Sequence, residues 1–423
     1  MKSLIEHGIN VEEISIKAKT GDMQAQYIMG YLHETGSKLE QNYEKSRQWY
    51  EKSSKQGFAL AQNELGVMYQ LGAAGLEQNF EKAVELFEKS MNAGHNEAIH
   101  NLACLYEKGN GVEQNYEMAV KLYFDAVKQG VVASNNNLGM MYQNGMGVKQ
   151  DYQKAAKFYH QGDAMDDSKS QFNLAVLYEN GFGVEQDYLK AKELYEKAAK
   201  KGLVEAMNNL GILYNKGLGL KQNYPKAAKW YLKAEKENFA EAQFNLAVLY
   251  ENGKGVEKNI EKAVDLYVKS SNAKIPMAQN NLATLYKNGN GVEKNLTKAS
   301  ELYMLAAKKD VEIAQYNLAV MYEKGEGVKK DMSKATKLYL KSAKKGNSDA
   351  QFNLGFMYFK GDGVKKDKYQ SYLWAYVSVL ANNMHAKSIF NEIHWLKYLN
   401  SDEIEKAKNE ANKMHNEINK NKF

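Results

Sequence analysis

The sequence predicts an all-α fold, a solenoid of about ten helix-turn-helix repeats of 36 residues each. Three observations support this prediction. A leucine recurs at an almost constant interval, apolar residues recur at helical spacing within each interval, and Gly-x-Gly segments separate the helical stretches. Only two prolines occur in 423 residues, so the helices are almost uninterrupted.

The leucine column defines the repeats, and we call its members the anchors. Eight of the nine intervals between anchors are 36 residues and one is 37. A tyrosine follows four residues after the anchor in nine of the ten repeats, and His33 takes that place in the first. Such regular columns indicate repeated copies of one helical hairpin. The anchors are Met29, Leu65, Leu102, Leu138, Leu174, Leu210, Leu246, Leu282, Leu318 and Leu354.

Each repeat is predicted to contain two short helices. In the seventh, Ala242, Leu246 and Tyr250 lie on one face of a first helix, and Gly253–Gly255 ends it. Asn259 then provides a side-chain cap for a second helix. Neither helix buries its apolar face alone, so neighbouring repeats are expected to stack. The corresponding caps in other repeats are Asp151, Asp187, Asn223, Asn295, Asp331 and Asp367.

The two ends depart from the repeat pattern and are predicted to be caps. We divide the chain into an N-terminal capping helix over residues 1–24, ten repeats over 25–385, and C-terminal capping helices over 386–423. Asn400 and Glu403 have the spacing of a capping box that opens a charged helix over 401–418. A polar outer face at each end keeps a repeat array from stacking further.

Composition narrows the possible partners and the compartment. The 57 basic residues exceed the 51 acidic ones by only six, and Arg47 is the only arginine, so no concentrated nucleic-acid-binding face is expected. The single cysteine, Cys104, cannot form an intrachain disulfide. Residues 1–22 have no apolar stretch of signal-peptide type, and the longest apolar run, Tyr372–Ala381, is too short to span a bilayer. We expect a cytoplasmic protein, without membrane insertion, that is a monomer.

The repeated motif A-x-x-N-L-(A/G)-x-x-Y-x-x-G-x-G-V, followed by a helix with K-A-x-x-(L/W)-Y-x-x-A, resembles the Sel-one-like repeat (SLR) family, a relative of the tetratricopeptide repeat. The resemblance covers residues 25–385 and implies a right-handed α/α superhelix that acts as an adaptor. Secreted members carry a disulfide in each repeat. Because this chain lacks those cysteines, the resemblance implies the intracellular type.

Motifs of catalysis and of metal binding have simpler explanations here. The Gly-x-Gly pairs follow helices and recur in most repeats, whereas a dinucleotide loop follows a strand and has a third glycine. Ser271-x-x-Lys274 and Ser342-x-x-Lys345 match a motif of penicillin-recognising enzymes, but its Ser-Asp-Asn and Lys-Thr-Gly companions are absent. The histidines and the acidic cluster Asp163–Asp167 lack metal-ligand spacing. We therefore expect no enzyme, no metal and no cofactor.

The first helix of each repeat carries a second apolar face. Residues two before and two after an anchor lie about 160° from it and neighbour each other. The column two before the anchor alternates between aromatic-ring residues and asparagine, as in Phe172, Asn208 and Phe244. This alternation indicates either an ancestral 72-residue double repeat or selection for alternating pockets.

Asparagine immediately precedes the anchor in eight repeats. These side chains either grip the backbone of a bound peptide, as related tetratricopeptide repeats do, or satisfy backbone groups between neighbouring repeats. The predicted peptide-binding residues are Asn137, Phe172, Asn173, Asn209, Phe244, Asn245, Asn281, Tyr316, Asn317, Phe352 and Asn353.

These columns predict a non-catalytic scaffold or adaptor that holds protein or peptide partners in a concave groove lined by the first helices. One alternative is a β-lactam-binding or β-lactam-hydrolysing enzyme, as suggested for some secreted SLR relatives. The other is a helical-repeat RNA binder, which would show variable polar residues where this chain repeats asparagine and aromatic rings.

Overall fold

A computed structural model describes residues 10–384, 386–387 and 399–420. These residues form 22 helices and no strand, which confirms the predicted all-α class. The helices are α1 Val11–Lys19, α2 Met23–Thr35, α3 Tyr43–Lys55, α4 Ala59–Leu71, α5 Phe80–Asn92, α6 Asn96–Lys108, α7 Tyr116–Lys128, α8 Val132–Asn144, α9 Tyr152–Ala164, α10 Ser168–Asn180, α11 Tyr188–Lys200, α12 Val204–Lys216, α13 Tyr224–Lys236, α14 Ala240–Asn252, α15 Ile260–Asn272, α16 Pro276–Asn288, α17 Leu296–Lys308, α18 Glu312–Lys324, α19 Met332–Lys344, α20 Ser348–Lys360, α21 Lys368–Leu380 and α22 Ser401–Lys420.

Every repeat consists of two helices of 13 residues, which we call helix A and helix B. The first repeat is α2 with α3, and the tenth is α20 with α21. The contacts between residues divide the chain into two compact units. The first comprises the residues up to 206 together with 218–220, and the second comprises 207–217 and the residues from 221 onward. Within each unit, consecutive helices pack in pairs as a solenoid.

The seven predicted helix B caps are confirmed. In the seventh repeat, the Asn259 side chain accepts a hydrogen bond from the backbone N–H of Lys262 at 2.8 Å. Equivalent bonds are present at the start of helix B in the other six repeats. Each bond gives a partner to a backbone N–H of the first turn that has none within the helix.

The Gly-x-Gly turns have the structural role that the sequence predicts. Gly253 ends α14 with φ of 66°, a left-handed conformation that glycine adopts without strain. A Cβ atom on Gly255 would lie 2.3 Å from the Tyr224 carbonyl carbon of the preceding repeat. The first glycine therefore reverses the chain, and the second allows close packing between repeats.

Aromatic residues of helix B fill the centre of each repeat. Tyr267 is fully buried, as are its counterparts Tyr50, Phe87, Tyr123, Tyr159, Tyr195, Tyr231, Tyr303 and Tyr339. The small residue after each anchor makes room for this ring; a Cβ atom on Gly211 would lie 2.3 Å from the Tyr231 ring. The helix B rings are thus among the largest fully buried side chains of the described residues.

The helix A tyrosines are less buried than their strict repetition suggests. Tyr250 lies on the apolar face that stacking of repeats was expected to bury, but it is only half-buried. The Nζ atom of Lys262 lies 5.4 Å from the centre of its ring. The same lysine–tyrosine arrangement is present in seven repeats, each with the ammonium group within cation–π distance of the ring.

The described parts of the two ends agree with the predicted local structure. The Asn400 side chain accepts the Glu403 N–H at 2.9 Å, and the Glu403 carboxylate accepts the Asn400 N–H at 2.9 Å, which confirms the capping box. Helix α22 packs on α21 and buries Ile404, Ala407 and Ala411. The capping roles of both ends stay predictions, and residues 1–9, 385, 388–398 and 421–423 of the predicted division lie outside the described residues.

Candidate functional site

The predicted site residues all lie on helices A. Asn137, Phe172 and Asn173 belong to the first unit, and the other eight belong to the second. All eleven are half-buried, so each one exposes part of its side chain. Eight asparagines precede an anchor, and we call them the asparagine row: Asn101, Asn137, Asn173, Asn209, Asn245, Asn281, Asn317 and Asn353.

In odd-numbered repeats, the asparagine row bonds backward to the preceding repeat. Asn173 Nδ2 donates to Asn136 Oδ1 at 2.7 Å, and Asn101 donates to Asn63 at 2.9 Å. In the second unit, Asn245 and Asn317 donate in the same way to Asn208 and Asn280, at 2.9 and 3.4 Å. The acceptor is always the asparagine that alternates with aromatic residues two positions before the anchor.

In the fourth and eighth repeats, the asparagine row bonds to the buried tyrosine of the repeat before. Asn137 Nδ2 donates to the Tyr123 hydroxyl at 2.9 Å, and Asn281 donates to the Tyr267 hydroxyl at 3.1 Å. Each of these asparagines also accepts from its own neighbour, as Asn137 Oδ1 does from Asn136 at 3.2 Å. Both the carbonyl and the amide of these even-numbered members are therefore engaged.

The tyrosine hydroxyl in turn donates to a glutamate five residues after the anchor. Tyr267 donates to Glu251 Oε2 at 2.6 Å. A hydrogen-bonded chain thus connects three consecutive repeats in the order Glu251, Tyr267, Asn281, Asn280, Asn317. A second copy in the first unit runs through Glu107, Tyr123, Asn137, Asn136 and Asn173. We call each of these an interrepeat chain.

The aromatic members of the site pack against the buried tyrosines. The ring centres of Phe172 and Tyr195 are 5.6 Å apart, and those of Tyr316 and Tyr339 are 5.9 Å apart. Phe244 lies in the same way over Tyr267 at 6.1 Å. Each ring therefore covers the core on one side while part of it stays exposed.

The geometry changes how the asparagine row is understood. Its bonds go to side chains of neighbouring repeats, whereas the sequence pattern suggested backbone groups or a peptide. In the described part of the chain, the Oδ1 atoms of Asn173, Asn245 and Asn317 accept no hydrogen bond, so these odd-numbered members keep a free acceptor. Sequence reasoning missed the Glu–Tyr pairs, although glutamate alternates with Gln70, Gln143, Asn215 and Lys287 in that column.

Burial shifts the pKa values of Tyr267, Cys104 and His100. Desolvation, together with the nearby Glu251 carboxylate, raises the pKa of Tyr267 well above its ordinary value. Burial also raises the pKa of the Cys104 thiol and lowers the pKa of His100, whose Nδ1 lies 2.9 Å from Ser134 Oγ. These groups are neutral near pH 7, which suits a packing role better than acid–base catalysis.

The motifs of enzymes and metal sites have structural partners. The Ser342 hydroxyl is buried and donates to the Glu312 carbonyl at 2.8 Å, while Lys345 Nζ donates to the Asp310 carbonyl at 2.6 Å. This serine and this lysine are not arranged as a nucleophile and its base. Across residues 10–384, 386–387 and 399–420, no three histidine, cysteine or acidic side chains converge to hold a metal ion.

The acidic cluster of the fourth repeat lies where α9 ends and α10 begins. Asp167 caps α10, and Gln171 Nε2 donates to both Asp163 and Asp166 at 3.1 Å. Lys197 forms an ion pair with Asp163 at 3.0 Å. The carboxylates are therefore neutralised within the protein.

Stacked helical hairpins joined by repeated side-chain columns define the class of the protein, an α-solenoid typical of protein-interaction scaffolds and typically non-catalytic. The chain belongs to the Sel1 repeat family. Ten successive segments match the family model, namely residues 24–58, 59–95, 96–131, 132–162, 168–203, 204–239, 240–274, 276–311, 313–347 and 348–377.

Solved structures of Sel1 and SLR proteins are similar to this chain. One is a protective antigen present in uropathogenic Escherichia coli strains that displays an SLR fold; it is 30% identical, with a TM-score of 0.65 over 97% of this chain and 94% of that one. Another is a Sel1 repeat protein from Oxalobacter formigenes, 27% identical, with a TM-score of 0.55 over 73% of this chain and 89% of that one. A comparison with curated proteins found no match.

None of the helices in the described ranges has the length and apolar character needed to span a membrane.

Proposed function

We propose that this protein is a non-catalytic scaffold that binds segments of partner proteins along the surface of its helices A. The observation that carries the proposal is the half-buried asparagine row, which is accompanied by the rings of Phe172, Phe244, Tyr316 and Phe352 and in which the carbonyl oxygens of Asn173, Asn245 and Asn317 accept no hydrogen bond from the described residues. A regular series of acceptors beside apolar rings suits the alternating polar and apolar groups of a peptide.

Exposed apolar side chains extend this surface in the second unit. Met277 and Ile313 are 42% and 41% exposed. Each lies four residues before a member of the asparagine row, Asn281 or Asn317, and therefore on the same side of its helix. The bond between Asn317 and Asn280 shows that α16 and α18 lie next to each other at this point. Two exposed apolar residues on adjacent helices form a contact surface that the fold does not require.

The experiment uses these exposed positions because Phe244 and Tyr316 also cover the core. We expect the double variant Met277→Glu, Ile313→Glu to lose the partners that the wild-type protein captures from its native cells. Its melting temperature should stay close to the wild-type value, since surface substitutions usually change stability by only about 0.5 kcal/mol. Captured polypeptides are compared by mass spectrometry.

The matched control is Leu232→Glu, Leu305→Glu. These leucines are 36% and 47% exposed but lie on helices B, α13 and α17. The control variant should capture the same partners as the wild-type protein. If the helix A variant folds and captures partners normally, the binding surface lies elsewhere and the proposal is wrong.

A further inference from the structure

A series of glutamates occupies alternate repeats on the surface proposed above. In the first unit these are Glu34, Glu107 and Glu179, each five residues after its anchor and each half-buried. Each accepts the hydroxyl of the buried helix B tyrosine through Oε2, at 2.6, 2.5 and 2.7 Å. The intervening repeats have neutral Gln70 and Gln143 at the same position.

The fold does not need the negative charge at these positions. In the fourth repeat, the Tyr159 hydroxyl donates to Gln143 Oε1 at 2.9 Å, so a neutral amide performs the same structural task. The Glu251 and Glu323 carboxylates of the second unit also bond to a tyrosine, but there Lys287 lies in the repeat between them. Only the first unit therefore has a purely negative series.

Within the described residues, these carboxylates have no counter-ion. In the described part of the chain, no lysine or arginine nitrogen lies within 4.0 Å of Glu34, Glu107 or Glu179, although the chain has 57 basic residues. Other acidic residues do find partners, as Asp163 does with Lys197 at 3.0 Å. The second carboxylate oxygen, Oε1, accepts no bond from the described residues. A half-buried anion with a free oxygen favours a cation supplied from outside.

We propose that the helix A surface of the first unit binds a basic segment of a partner protein, with lysine or arginine side chains against Glu34, Glu107 and Glu179. This inference rests on the proposed scaffold function and names the chemistry of the partner. Adjacent helices pack about 8–10 Å apart, so carboxylates two repeats apart are separated by about 16–20 Å. An extended chain covers that distance in about six residues, which sets the spacing of the cations.

The test measures binding of synthetic peptides by fluorescence anisotropy. The probe is a fluorescein-labelled peptide with three lysines about six residues apart, separated by serine and leucine, and its counterpart carries glutamate in place of lysine. We expect the lysine peptide to bind at least about tenfold more tightly than the glutamate peptide. The affinity should fall as sodium chloride is raised, because salt screens partly exposed charges.

The variant Glu107→Gln, Glu179→Gln keeps the acceptor for each tyrosine, as Gln143 shows, and should weaken binding of the lysine peptide by about tenfold. The control variant Glu117→Gln, Glu193→Gln removes the same charge from exposed positions of helices B and should leave the affinity unchanged. The inference is overturned if the lysine peptide does not bind, if both peptides bind equally, or if both variants bind it equally. Loss of partner capture by the Met277→Glu, Ile313→Glu variant would still support the scaffold function in those cases.

Discussion

The hydroxyl of Tyr267 donates a hydrogen bond to Glu251 Oε2 at 2.6 Å, from the centre of helix B to the end of helix A in the same repeat. The same hydroxyl accepts from Asn281 of the next repeat at 3.1 Å. One buried phenol therefore joins two helices of its own hairpin to the following hairpin. This tyrosine fills the core with its ring and bonds to two polar side chains through its hydroxyl, so its loss would remove both the packing and the hydrogen bonds.

The first prediction concerns the stability of the seventh repeat. Tyr267→Ala should lower the free energy of unfolding by about 3–5 kcal/mol, because it removes a fully buried ring and leaves its polar partners unpaired. Tyr250→Ala, at a half-buried ring, should cost only about 1–2 kcal/mol. Denaturant unfolding measures both values, and equal losses would contradict the assignment of the core to helix B.

The damage from Tyr267→Ala should also stay local. Repeats contact their neighbours, so stability is approximately a sum of repeat and interface terms. Amide hydrogen exchange should show lost protection in the seventh repeat and its neighbours, and unchanged protection in the first three. A uniform loss along the chain would show that the array unfolds as one cooperative body.

A second prediction concerns the close contact of Gly162 with Ser170. A Cβ atom on Gly162 would lie 2.0 Å from Ser170 Oγ and 2.4 Å from its Cβ, so Gly162→Ala should destabilise the protein by about 1–3 kcal/mol. Ser170→Ala alone should be close to neutral, because its buried hydroxyl has no hydrogen-bond partner among the described residues. The double variant should be more stable than Gly162→Ala, as a double-mutant cycle would show. Simple additivity of the two changes would mean that the residues do not clash.

The third prediction is unfolding at alkaline pH. Burial raises the pKa of the helix B phenols, among them Tyr123, Tyr267 and Tyr339. In the folded state these phenols keep their protons above pH 10, whereas in the unfolded chain they lose them near the ordinary tyrosine pKa of about 10. The free energy of unfolding should therefore be unaffected below about pH 10 and fall as the pH rises further.

Absorbance of tyrosinate and circular dichroism, recorded together, check this prediction. The buried tyrosines of helices B should ionise only as the helices unfold, so their tyrosinate absorbance should appear together with the loss of helical signal. Ionisation of all tyrosines near pH 10 with full retention of helical signal would contradict the buried hydrogen-bonded column.

The fourth prediction is that reducing agents do not affect the fold. Cys104 is the only cysteine and is free, so dithiothreitol should leave the melting temperature of the protein unchanged. Burial raises the pKa of the thiol, so its reaction with Ellman's reagent should be slow in the native state and fast in denaturant. A melting temperature that falls by several degrees in dithiothreitol would reveal a reducible covalent link that stabilises the native state.

The local features of this protein could be predicted from its sequence. The period of the anchors, the caps such as Asn259 and the glycine turns such as Gly253 each depend on only a few neighbouring residues. Helix caps and left-handed turns are governed by backbone chemistry, which a short sequence pattern reports directly. The capping box at Asn400 and Glu403 was predictable for the same reason.

Only the tertiary structure determined which side chains of the repeated columns are buried and which partners they bond to. Two tyrosine columns recur with equal regularity, yet Tyr267 is buried and Tyr250 is half-exposed, because burial depends on how each helix is rotated against the next repeat. Likewise, Asn281 and Asn317 look alike in sequence, but one bonds to a tyrosine and the other to an asparagine. Their partners lie more than a dozen residues away, and periodicity within one helix contains no information about which side chains meet across repeats.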